Sequence, residues 1–141
     1  MRRLLLPGIS TLAIVAGGCG VVGPDDSGIT FEIAAGLYAP GDSVRADLRN
    51  DGREQASYNF CFTALDRHNG SSWDMVVWSL FAPPGGACAA YGIVLGPGRS
   101  ATLRARLPLD LGSGTYRLRT SVSVDGHGSG ERLTEGFTVE P

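Results

Sequence analysis

Tyr116-Arg117-Leu118-Arg119-Thr120-Ser121-Val122-Ser123-Val124-Asp125 is the stretch that decides the fold. Tyr116, Leu118, Thr120, Val122 and Val124 fall on one side of an extended chain, and Arg117, Arg119, Ser121, Ser123 and Asp125 on the other. That period of two marks a strand with one buried and one wet face. The same pattern recurs outward from it. Upstream, after the turn Gly96-Pro97-Gly98, the residues Ala101, Leu103, Ala105 and Leu107 alternate with Thr102, Arg104 and Arg106. Earlier still, Val44, Ala46 and Leu48 alternate with Arg45, Asp47 and Arg49 between the turns Pro40-Gly41-Asp42 and Asn50-Asp51-Gly52. Phe31 and Ile33 begin the series; downstream, the Gly-rich hairpin loop 126–130 leads to a last strand with Phe137 and Val139 inward.

The middle of the chain is more apolar. Residues 56–66 read as one strand with Tyr58, Phe60, Phe62 and Ala64 on one face and Asn59, Cys61, Thr63 and Leu65 on the other, so both faces are covered. After His68-Asn69-Gly70-Ser71-Ser72 a strand is predicted from Trp73 to Phe81, ending at Pro83-Pro84-Gly85-Gly86. Cys88 then opens a short stretch through Tyr91, Ile93 and Leu95. Beyond the first residues no helical period persists for more than a turn or two. The fold class is therefore all-β, an antiparallel sandwich of about seven to eight strands in two sheets.

Composition sets bounds on function. The chain has 141 residues, a single domain's length, with 43% apolar and 18% charged residues and a net charge of -2. All of its basic residues are Arg, and they are outnumbered by 14 acidic ones, so the basic footprint of a nucleic-acid binder is missing.

The N-terminus reads as an export signal. Arg2 and Arg3 precede an apolar run from Leu4 to Ala16, too short for the roughly 20 residues of a membrane span, and small residues follow. The segment Val15-Ala16-Gly17-Gly18-Cys19 resembles the lipobox of bacterial lipoproteins, which implies cleavage before Cys19 and lipidation of its sulfur. Three Cys leave one unpaired, and Cys19 is the odd one. The organisation expected is a signal peptide over 1–18, a lipid-anchored flexible tether over 19–28, and a folded domain over 29–141. The location expected is the bacterial cell envelope, membrane-anchored.

Tyr58-Asn59-Phe60-Cys61, Ala64-Leu65-Asp66-Arg67, Trp73, Cys88, Leu95-Gly96-Pro97-Gly98, Leu107-Pro108 and Gly114-Thr115-Tyr116-Arg117-Leu118, taken in order, resemble the small exported bacterial lipoproteins with an immunoglobulin-like domain. The resemblance covers most of the chain after the tether and implies the immunoglobulin-like form of the sandwich. It implies no particular activity.

Cys61 and Cys88 are left to pair, and an exported compartment permits the bond. Neither has a second Cys or a His at ligand spacing, and a soft copper set of Cys61, His68 and Met75 would use up the cysteine that Cys88 needs, so no metal or cofactor is expected. There is no Ser on a strand-to-helix turn, no Cys beside a base and no paired-carboxylate cleft. The Gly-rich run before Glu131 opens no helix and so forms no phosphate cradle. The chain reads as a non-enzymatic binding or structural module.

Two surfaces are candidates for binding. Arg45, Arg49, Arg104 and Arg106 share one outer sheet face if the strands pair as in immunoglobulin-like domains, and suit carboxylates or phosphates of an envelope protein or an anionic glycan. The alternative is a solvated face balanced by Glu32 and Asp47. Trp73, Trp78 and Phe81 are either interface anchors or core packing under a tethered loop. A rival function is protease inhibition by the loop from Leu80 to Ala87, stiffened by Pro83 and Pro84.

Overall fold

The computed structural model describes residues 27–34, 36–81 and 87–141. The signal-like segment, Cys19, the tether before Ser27 and the Pro83-Pro84-Gly85-Gly86 break lie outside the described residues. The domain is an immunoglobulin-like β-sandwich. Eleven strands are described: β1 Ile29–Ile33, β2 Leu37–Tyr38, β3 Ser43–Asn50, β4 Ala56–Tyr58, β5 Ala64–His68, β6 Trp73–Val77, β7 Ile93–Leu95, β8 Ser100–Arg106, β9 Gly114–Val124, β10 Gly128–Leu133 and β11 Phe137–Val139. Sheet A has the order β1-β3-β8, and sheet B is built round β9.

Eleven strands and the expected seven or eight are the same chain path differently divided. β4 and β5 lie in succession along one side of β9, and β10 and β11 in succession along the other. β1 and β2 are one strand that changes sheets, from pairing with β3 to pairing with β11. Because the chain keeps its direction through the change, β2 runs parallel to β11, the one described exception to antiparallel pairing.

The alternation seen in the sequence becomes the core. Val44, Ala46 and Leu48 of β3 and Leu103 and Ala105 of β8 face Tyr116, Leu118, Val122 and Val124 of β9, all buried. Burying a side chain of this kind contributes about 1.5–3 kcal/mol for the larger aliphatics. Tyr116 is 1% exposed and its hydroxyl donates to the Gly112 carbonyl at 2.7 Å. This tyrosine corner, at the entry to β9, is a hallmark of immunoglobulin-like sandwiches.

Three expectations need correction. Residues 56–66 are not one strand: a single 3-10 turn, Phe60–Phe62, interrupts them, capped by the Asn59 side chain accepting the Cys61 N–H at 3.0 Å. The turn shifts the alternation, so that Leu65 rather than Ala64 faces the core opposite Leu118, and Phe62 is exposed. The strand from Trp73 stops at Val77 instead of Phe81, and the chain folds inward, with the Leu80 N–H donating to the Thr63 carbonyl. Finally, the Gly-rich stretch is a tight hairpin whose returning arm, β10, is a strand from Gly128 onward, held by pairing with β9 despite a sequence with no strand preference.

Ser27 enters at the end of the sandwich where Asn50 is fully buried. The Asn50 Nδ2 donates to the carbonyls of Glu54 and Leu95, each at 2.9 Å, and its Oδ1 accepts the Gly52 N–H at 3.0 Å. Position 52 tolerates nothing larger than Gly, since a Cβ there would run into the Ser27 carbonyl. Asn50 thus pins sheet A to sheet B at the entry end. Asp42, Arg106 and the C-terminal Glu140 lie at the far end.

Candidate functional site

The outer face of sheet A sorts its charges into rows. The register between β3 and β8 sets Asp47 beside Thr102, Arg45 beside Arg104, and Ser43 beside Arg106. On the other flank of β3, Glu32 of β1 sits opposite Asp47. An acidic row therefore crosses the middle of the face, and three guanidinium groups cluster toward the far end.

Arg45 and Arg104 are like charges directly opposite each other, an arrangement that disfavours the sheet. Their partners compensate only in part. Arg45 reaches Asp47 at 3.3 Å, an exposed pair of small value. The Arg106 Nε donates to the Gly41 carbonyl at 2.8 Å, and no described residue hydrogen-bonds to the two terminal nitrogens of its guanidinium. Arg104 makes no hydrogen bond or ion pair with any described residue. A depression of about 350 Å³ lies over Ser43, Val44, Arg45, Arg104, Ala105 and Arg106. The Thr102 hydroxyl, donating to Asp47, holds that carboxyl below its ordinary range against the opposing effect of burial; Arg45 and Arg104 add to the lowering. Asp47 therefore stays ionised to lower pH than a free carboxylate and fixes the boundary of the basic row.

Arg49 does not join this cluster. It lies beyond the acidic row, about 14 Å from Arg45 along the strand, and pairs with Asp51 at 2.7 Å.

The aromatic set is dispersed. Trp73 lies on the outer face of sheet B, with the Arg117 guanidinium 4.3 Å from its ring centroid and the His68 ring 5.0 Å away. Phe81 is half-buried and stacks on Phe60 at 6.5 Å, so it is core packing, as is Leu80. These two side chains do not protrude to fill a protease pocket, and positions 82–86 of the rival loop lie outside the described residues. Only Trp78 is an exposed aromatic of the set, at 56% exposure. Met75, Val76, Ile93 and Val94 of sheet B are exposed as well.

Cys61 and Cys88 are joined, with Cα atoms 5.6 Å apart, which removes Cys61 from any metal set. The His68 Nδ1 accepts the Gly70 N–H at 3.3 Å, and His127 lies exposed in the β9–β10 turn.

One constellation escaped the sequence. Asp66 is only 2% exposed and accepts from Arg117 at 3.3 Å and from Arg119 at 3.0 Å; Arg119 also reaches Glu131 at 2.6 Å. These bonds raise the affinity of Arg119 for its proton, Asp66 contributing most. The network ties β5, β9 and β10 together across sheet B. Its residues satisfy one another, and so it rigidifies rather than receives a ligand. Only the pairing of β5 with β9 brings Asp66 to the two arginines, and no local signal announces it.

No protein-family model and no curated protein sequence matches the chain. Among solved structures, the Northeast Structural Genomics Consortium target SoR45 superposes with a TM-score of 0.52 over 80% of this chain and 86% of its own, at 14% identity. The ASH/PapD-like domain of human CEP192 (PapD-like domain 7) covers 95% of this chain and 96% of its own, at 15% identity and a TM-score of 0.41. At this identity the likeness to SoR45 is one of fold.

Proposed function

We propose that this protein is a non-catalytic, membrane-tethered module of the bacterial cell envelope, akin to the small exported immunoglobulin-like lipoproteins, that binds a carboxylate- or phosphate-bearing partner through Arg45, Arg104 and Arg106. The observation that carries this reading is Arg104, with no hydrogen bond or ion pair to any described residue, set directly opposite Arg45. The fold tolerates a repulsive pair that a neutral residue would relieve, and a bound anion turns that repulsion into attraction. Polarity along the sandwich supports it. Lipidation at Cys19 leaves residues 20–26 before Ser27, at most about 25 Å of extended chain. The Asn50 end then faces the bilayer, and the arginines at the far end face the envelope space.

The test titrates the purified protein with inorganic tripolyphosphate at low ionic strength. Binding is expected, weakening as salt rises and falling about tenfold or more on Arg104→Ala with Arg106→Ala, whereas Arg49→Ala leaves it nearly unchanged. Unaltered affinity in the double variant would remove the arginine face from the function. In cells, a fatty-acid analogue is expected to label the chain and to be lost on Cys19→Ala; an unlabelled, freely secreted protein overturns the tether.

A further inference from the structure

Among the described residues, β8 has a partner on one side only. It is the edge of the three-stranded sheet, seven residues long, and it pairs with β3 from Ser100 to Arg106 without a bulge. The hydrogen bonds just beyond each end fix which backbone groups are used. Asn50 donates to the Arg99 carbonyl at 2.9 Å, and Leu107 donates to the Asp42 carbonyl at 2.8 Å. Antiparallel pairs alternate between hydrogen-bonded and non-hydrogen-bonded. Ala101, Leu103 and Ala105 therefore spend their N–H and C=O groups on β3. Ser100, Thr102, Arg104 and Arg106 direct theirs away from it, into the open edge, and no described residue hydrogen-bonds to them there.

The same four residues carry the side chains of the outer face, so the open backbone groups and the guanidinium groups of Arg104 and Arg106 belong to one edge. Other borders of the sandwich offer less. β7 has three residues, β6 meets β5 at an irregular register, and β10 is packed beside β1. From this coincidence we infer that β8 receives an extended acidic segment of a partner polypeptide, which adds to sheet A as a fourth strand. The inference rests on the anion-binding reading of the arginine face and specifies its ligand.

Charge selects the occupant. A second copy of β8 laid against the first brings arginines toward arginines, which disfavours self-pairing. A strand with Asp or Glu on the matching face places carboxylates beside Arg104 and Arg106, at the roughly 5 Å between Cβ atoms of cross-strand neighbours. Backbone hydrogen bonds then supply affinity, and alternate side chains supply selectivity.

The probe is an acetylated seven-residue peptide of alternating Thr and Glu, compared with the same peptide N-methylated at alternate residues and with tripolyphosphate. Thr102→Pro removes one outward N–H and fills the edge while leaving the backbone hydrogen bonds to β3 in place, at the loss of the hydroxyl's bond to Asp47. The parent peptide is expected to bind and to slow amide exchange at Ser100, Thr102, Arg104 and Arg106. Thr102→Pro and N-methylation are each expected to weaken it about tenfold or more, and tripolyphosphate binding is read on the unaltered protein. The N-methylated peptide makes the same test on the unaltered protein, so the result does not hang on the variant's folding. If the methylated peptide binds as well as its parent, or protection appears on β10 instead, strand addition is wrong and the anion-binding reading stands. If neither peptide nor tripolyphosphate binds, both readings fail. Self-association through β8 without peptide also overturns the inference.

Discussion

Asp66→Ala is expected to destabilise the domain by about 3 kcal/mol, the lower part of the range for removing one partner from a buried ion pair. The carboxylate is almost wholly buried and accepts from two guanidinium groups that converge on it from β9. Without it, both arginines lose their main acceptor on a face where they are only partly wetted. Two features keep the effect from the top of the range. Arg119 retains Glu131, and Arg117 retains its seat on Trp73. For a domain of this size the loss corresponds to a fall in Tm of about 10 °C or more. A purely apolar replacement of the pair, Asp66→Leu with Arg119→Met, is expected to recover much of it, because buried ion pairs return little net energy over well-packed hydrophobic residues. Thermal melts of the two variants decide the matter. An Asp66→Ala protein as stable as the parent would mean that the network carries no stabilisation.

That network also marks the limit of what the sequence discloses. Periodicity finds β3, β8 and β9 because each buries one face and wets the other, so Val44, Leu103 and Tyr116 announce their direction locally. It fails at Phe60-Cys61-Phe62, where the Asn59 cap and the link to Cys88 impose a turn on a run that alternates well enough to pass for a strand. It fails again at Gly128-Ser129-Gly130, whose strand comes from a neighbour rather than from its own side chains. The arginine cluster stands between these cases. Alternation puts Arg45, Arg49, Arg104 and Arg106 on exposed faces, but only the register separates Arg49 from the rest and sets Arg45 against Arg104. Asp66 gives no hint at all. A carboxylate at the end of an apolar run reads as the strand leaving the core, and its burial depends on two residues more than 50 positions away.

Replacing both Cys61 and Cys88 by Ala is expected to cost about 3.5 kcal/mol, with a Tm lowered by about 10–15 °C. The bridge spans a separation of 27 residues, and in the chain-entropy account it acts by restricting the unfolded chain. Its place in the fold adds a local consequence. It fastens the 3-10 turn to the segment that leads into β7, a segment otherwise held by Asn59, whose Nδ2 donates to the carbonyls of Ala89 at 2.6 Å and Tyr91 at 3.1 Å. Those two bonds are exposed and compete with water, so without the bridge they hold the segment weakly. β7 contributes three residues to the edge of sheet B, and its Leu95 is buried and accepts from Asn50. Loosening is therefore expected to reach Ala89, Tyr91 and Ile93 first and to stop at Leu95, where the Asn50 pin takes over. Amide exchange of the double variant, in native buffer, makes that boundary visible. Fast exchange from Ala89 to Ile93 with Leu95, Leu103 and Leu118 still protected agrees with the account. Uniform loss of protection across both sheets would show that the bridge supports the whole sandwich and not one border of it.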